Sequence, residues 1–258
     1  MALHGLYEGE ECLMALWLVP LKQRECTPFA YCPESPKIWP IELVVVHWTA
    51  SPPKKPKTQH GDDPARIRRW LRGKSGRESS THLVITRAGE ILQGAPLDWR
   101  TWHSGGSKTW DGRGDVNHRS IGIDLENVGN LDRGTNEWVD SYGGAYLGPE
   151  PYINPLSEPT ADQNRSRQTI AQSRIWAWEP YRVAQMVSFF QIGRQIVDLF
   201  PGLIAPTRWV GHAEIRATKL DPGPHFPWRT LKMILDGECE PGALGDWHPA
   251  ERRTVVDA

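Results

Sequence analysis

The chain of 258 residues lacks any run approaching the roughly 18 apolar residues that a membrane-spanning helix requires. The longest candidate, Met14 to Leu21, is short, follows Glu8, Glu10 and Glu11, and contains Pro20. A secretory leader needs a basic start and a longer apolar stretch, so the expectation is a chain made in the cytoplasm without a signal peptide. If it works on a cell wall, something else must deliver it there. Excess charge of either sign is also missing, with Lys+Arg 30 against Asp+Glu 31 and a formal net charge of -1. A phosphate backbone calls for a basic face, so a nucleic-acid partner is not expected. Cysteine is scarce: Cys12, Cys26, Cys32 and Cys239 form no CxxC pair. They read as free thiols of a reducing compartment, with a clip or metal site in the N-terminal segment as the other reading.

What is present is a hydrophobic content of 39% and 13 Trp, enough for one well-filled core. Trp fills cores and also stacks on sugar rings, and its number does not separate the two. Residues 1–38 are broken by Pro28, Pro33 and Pro36 and read as an extension laid over a catalytic domain at 39–236, with a tail at 237–258. Ile41 to His47 is a β-branched apolar run, hence a buried strand. Asp63 to Leu71 predicts a short helix, with Asp63 as cap, Pro64 in the first turn, and Ile67, Trp70 and Leu71 on one face. Thr81 to Arg87 and Glu90 to Ala95 flank Ala88-Gly89 as a hairpin. Ser120 to Glu126 is a further strand. Tyr181 to Phe200 repeats its apolar residues every three or four positions and ends at Pro201-Gly202, so it predicts a long helix. Arg208 to Gly211 reads as a short strand and Trp228 to Leu235 as a last helix. The alternation implies an α/β (mixed α+β) class: a central mixed sheet flanked by helices. Residues 129–178 are too long for an ordinary connection and read as an insertion. It is a groove wall, a lid, or a surface element that buries its own aromatics.

Single residues say little. His47 and His212 each end a strand and read alone as polar ends. Asp221, in an Asp-Pro-Gly sequence, reads alone as a turn. Taken together, two imidazoles and one carboxylate with a fourth place for water form the donor set of a catalytic zinc site. Composition does not by itself single out these three.

Five segments occur in order: Val44-Val45-Val46-His47; Thr81-His82-Leu83-Val84-Ile85 with Gly89; Trp102-His103-Ser104-Gly105; Ser120-Ile121-Gly122-Ile123; and Gly211-His212 through Lys219 to Asp221-Pro222-Gly223-Pro224. Over about residues 41–235 this resembles the zinc-dependent N-acetylmuramoyl-L-alanine amidases. That superfamily includes phage lysozyme-amidases, anhydro-muramyl recycling amidases and peptidoglycan recognition proteins. The resemblance implies a Zn2+ cofactor on His47, His212 and Asp221. It makes Lys219 a catalytic cation for the oxyanion. It places His103 against substrate or transition state, a structural hydrogen bond being the other reading, and Thr81, His82 and Trp102 around the substrate. His82 is expected to pack more than to react. Family members place a Tyr at the position of Thr81 or a Glu at the position of Asp124. This chain has neither, which leaves Asp124 as the general base by position and Glu126 in reserve, on the same face by alternation. His118 and His225 match no metal position, and His4, His60 and His248 read as solvated.

The implied activity is hydrolysis of the bond between N-acetylmuramic acid and L-alanine, by an endolysin-like monomer whose partner is peptidoglycan or a muropeptide. The rivals are a cytosolic recycling amidase and a binding protein without catalysis. A role on nucleic acid or on a polymerase has no basic surface signal behind it.

Overall fold

The computed structural model describes residues 18, 40–50, 64–72, 79–133, 137–140, 145–146, 148–153 and 177–241. The expectations for Cys12, Cys26, Cys32 and nearly all of 1–38 and 237–258 lie outside these, whereas Cys239 is a free thiol. In chain order the elements are β1 (Leu43–Trp48), α1 (Pro64–Leu71), β2 (Leu83–Ile85), β3 (Ile91–Gln93), α2 (Val116–Arg119) and β4 (Ser120–Leu125). Then come β5 (Asn130–Arg133), β6 (Trp138–Asp140), β7 (Tyr152–Ile153) and β8 (Ala177–Trp178). The last are α3 (Val183–Leu199), β9 (Trp209–Gly211), α4 (His212–Ile215) and α5 (Trp228–Leu235).

The main sheet has the order β3-β2-β4-β1-β9. β1 runs parallel to β4 and β9, β2 runs parallel to β4, and only the edge strand β3 is antiparallel. An interior strand covered on both faces needs apolar residues throughout, which is why β1 reads LVVVHW with five consecutive buried residues. Val44 and Val46 turn to one face, with Ile121, Ile123 and Leu125 of β4 beside them. There they meet Met186, Phe189, Phe190 and Ile196 of α3 and Leu231, Ile234 and Leu235 of α5. Each such side chain contributes about 1.5–3 kcal/mol by leaving water. α3 stops where Pro201, lacking an N–H, cannot continue it.

Strand alternation sends the other residues to the opposite face. Val45 packs there with Val116, Val210 and Ile215, while α1 covers Val84 and Leu92 with Ile67 and Leu71. On β4 the residues alternating with the core set are Ser120, Gly122 and Asp124, small or polar where a site needs space and donors. The described part of the insertion forms a second, antiparallel sheet in the order β6-β5-β8-β7. Its small core joins Val128, Leu131, Tyr146 and Ala177, with Trp138 against it. Glu179, just after β8, anchors this unit: Arg87 donates to its two carboxylate oxygens from Nε and Nη2 at 2.7 and 2.8 Å.

Candidate metal centre

Three parallel strands deliver the site at their C-terminal ends, the edge at which open α/β sheets present ligands. His47 is the last fully buried residue of β1. Across one flank it is paired with Asp124 of β4. On the other flank Val46 is paired with Gly211, so the next residue, His212, emerges beside His47. Asp221 returns because Gly211 has no side chain: a β-carbon there would lie 2.6 Å from Pro222 Cδ. The returning loop is tied by Ala213 N–H donating to Asp221 O at 2.9 Å and by Tyr181 Oη–H donating to Pro222 O at 2.7 Å.

His47 Nδ1, His212 Nδ1 and Asp221 Oδ2 converge, separated by 3.0 Å between the rings and by 2.9 and 3.1 Å from each ring to the carboxylate. All three residues are buried. The outward bonds of the rings assign their protons. Ser120 Oγ–H donates to Val116 O, so its oxygen accepts from His103 Nε2–H at 3.1 Å. Neutral His103 then has an acceptor at Nδ1, which takes the Nε2–H of His47 at 3.0 Å. His212 Nε2–H donates to Ser104 O at 3.3 Å. Each imidazole therefore turns its Nδ1 towards the other and towards a carboxylate. Three lone-pair atoms this close repel unless a cation lies among them, either a shared proton or a metal ion. Burial pushes His212 below the ordinary histidine range, which favours its neutral, ligating form. Burial alone would raise Asp221, but hydrogen bonding to His212 and His47 through a proton shared among the three outweighs this and holds it ionised. The donor chemistry fits a divalent ion of the zinc type, and this is the metal-compatible His/Asp cluster among the described residues.

A cleft of about 570 Å³ opens beside the cluster, lined by Trp102, His103, His212, Arg216 and Lys219 among others. Lys219 is exposed in the loop before Asp221. Trp102 is 41% exposed, with the Arg100 guanidinium 3.8 Å from the centre of its ring. Arg216 was not singled out by sequence; its guanidinium fills the space where a Gly105 side chain would stand. Asp124 is buried, and burial pushes its carboxyl up.

Three expected positions lie elsewhere. Glu126 falls beyond the end of β4, so period-two alternation does not carry to it. Its carboxylate takes the Arg87 backbone N–H and guanidinium, each at 3.1 Å. Thr81 and His82 are fully buried and do not line the cleft. Thr81 Oγ1–H donates to Gly122 O at 3.0 Å. His82 donates Nε2–H to Trp99 O at 2.8 Å and accepts the Gly122 N–H at Nδ1 at 2.9 Å. None of the described insertion residues lines the cleft.

A parallel-centred mixed sheet with a metal-compatible His, His, Asp cluster at its strand ends places the chain in the α/β class. The chain belongs to the N-acetylmuramoyl-L-alanine amidase family, whose model matches residues 38–224. It is 26% identical over 160 residues to the 1,6-anhydro-N-acetylmuramyl-L-alanine amidase AmpD of Escherichia coli, covering 62% of this chain and 60% of that protein. It is 26% identical over 220 residues to the N-acetylmuramoyl-L-alanine amidase AmiD of the same organism, covering 82% of this chain and 56% of that protein. The chain thus spans less than two thirds of the length of either curated relative. A crystal structure of a selenomethionine AmpD derivative shares the fold, with a TM-score of 0.52 and 23% identity over 82% of this chain and 93% of that one. Among the described residues no helix is long and apolar enough to cross a membrane.

Proposed function

We propose that the protein hydrolyses the amide bond between N-acetylmuramic acid and L-alanine in peptidoglycan, with zinc on His47, His212 and Asp221. The observation that carries this reading is the convergence of two imidazole Nδ1 atoms and one carboxylate oxygen at the head of an open cleft. When bound, zinc lowers the pKa of its water towards ~7 and polarises the substrate carbonyl. The protein's own groups do the rest. Asp124 takes the proton from the water that adds to the lactyl carbonyl. The same carboxyl then delivers it to the alanine nitrogen as the C–N bond breaks. A carboxyl raised by burial suits both halves of this transfer. Lys219 turns its ammonium towards the oxyanion that forms at the carbonyl. Trp102 offers an exposed ring for the sugar or stem peptide, and Arg216 a cation for the peptide's carboxylates.

The setting we favour is wall lysis of the endolysin kind. A second reading, action on soluble anhydro-muropeptides, draws on the printed name of the Escherichia coli relative AmpD. Purified protein incubated with intact sacculi, and separately with anhydro-muropeptides, distinguishes them by which releases free stem peptide. Release from either substrate that stops with a chelator and returns with zinc supports the enzyme. Binding without release supports a recognition protein.

A further inference from the structure

Two consecutive residues, His103 and Ser104, hold the outer N–H groups of both imidazoles in the cluster. His47 donates to the His103 ring at 3.0 Å and His212 to the Ser104 carbonyl at 3.3 Å. The pair is pinned from behind by one side chain. Asn117 Oδ1, on α2, accepts the His103 N–H at 3.1 Å, the Ser104 N–H at 2.9 Å and the Ser104 Oγ–H at 2.8 Å. The His103 ring is fixed in turn by Ser120 at 3.1 Å. It stands edge-on to His47, with ring centres 5.2 Å apart and planes at 81°. It also has a dedicated seat: a β-carbon on Gly122 would lie 2.6 Å from His103 Cγ. The Ser120, Gly122, Asp124 face of β4 is thus arranged around this ring as well as around the cluster.

A ligating imidazole is useful only if its proton is kept on the outer nitrogen, and the group that accepts that proton tunes the ligand's orientation and basicity. We propose that His103 is a positioning residue. Relayed to Ser120 and seated on Gly122, it holds the His47 proton on Nε2 so that Nδ1 faces the metal. This rests on the cluster being a zinc site. It differs from a substrate-contact role, in which His103 would act through the open side of the cleft.

The test is zinc affinity of the full chain, measured by competition with a chromophoric chelator, alongside KM and kcat at saturating zinc. His103→Ala is expected to weaken zinc binding 10–100-fold with KM unchanged. His103→Gln, which keeps an acceptor for His47 and a donor for Ser120, should recover most of that loss. Gly122→Ala should reproduce it without touching metal or substrate. Zinc affinity of His103→Ala within twofold of wild type, together with a raised KM, overturns the inference in favour of substrate contact. Should His103→Ala fail to fold, nitrogen-15 shifts of the metal-free wild-type chain decide. A His47 protonated on Nε2 is expected, and one protonated on Nδ1 overturns it. A wild type that binds no zinc removes the metal reading itself. A wild type that binds zinc no better than these variants removes only the role of His103.

Discussion

Asp124 stands directly opposite His47 across the β1–β4 pair, and parallel strands in register turn both side chains to the same face. That places a buried carboxyl, raised by its burial, beside the first imidazole of the cluster. Glu126, two residues on, is held by Arg87 instead. The two carboxylates should therefore separate cleanly. Asp124→Asn is expected to lower kcat by about 10²–10⁴-fold, the usual range for a general acid–base group, with zinc still bound. Glu126→Gln should keep activity and lose about 1–3 kcal/mol of unfolding free energy, because Arg87 loses a charged partner. Steady-state kinetics and urea denaturation of the two variants check both halves.

Lys219 and Arg216 share the cleft, and the proposed mechanism gives them different tasks. Lys219→Ala should cost roughly 10²–10³ in kcat, the scale for removing one oxyanion donor. Arg216→Gln should raise KM several-fold with kcat nearly unchanged, the mark of binding that is equal in ground and transition states. The measurement is a kcat and KM pair on a stem-peptide substrate with free carboxylates. A matching loss of kcat in both variants would show that they act as one unit.

Metal should stabilise as well as activate. Zinc at about a hundred times its Kd adds roughly 2.7 kcal/mol to the folded state. Treatment with a chelator is expected to abolish hydrolysis and lower Tm, and readdition of zinc should restore both. Asp221→Ala should show neither response, since the remaining imidazoles lack the carboxylate that completes the set.

His225 supplies a pH signature away from the cluster. It is stacked on Tyr181 with ring centres 4.8 Å apart and donates Nε2–H to Glu179 O at 3.0 Å. Burial pushes its pKa down to about 3, against a smaller upward pull from the bond to Glu179. The unfolded chain thus binds the extra proton first as pH falls below about 6.5, so stability rises with pH across this window and drops on acidification. At full depth the effect is on the order of 5 kcal/mol. His225→Phe, which keeps the stacking, should flatten the fall in stability between pH 6.5 and 4.5. A fall parallel to wild type in denaturant titrations would assign the acid sensitivity elsewhere.

The continuous β-branched run of β1 and the three-and-four spacing of α3 were legible, because each element is long enough to show how it is buried. The expected Trp228 to Leu235 helix has the bounds of α5, and the Tyr181 to Phe200 helix contains α3 with two residues or fewer to spare. The helices α2 and α4, four residues each, are too short for any period to show. The strands of the second sheet span two to four residues and lie among Gly, Pro and polar residues, so their pairing is set by tertiary contact. His47, His212 and Asp221 were readable only through a resemblance, since each alone mimics a strand end or a turn. The fate of Glu126 was hidden because Arg87 is 39 residues away and nothing local signals their pairing.

The cluster is assembled from distant points on the chain: His47 lies 165 residues before His212 and 174 before Asp221. During synthesis, a chain that has not yet been extended past residue 221 lacks the carboxylate altogether. On the proposed zinc reading, the full donor set exists only once the chain beyond β9 has emerged. Chains truncated before this loop would lack one of the three donors of the proposed site, so they are expected to hold the ion more weakly.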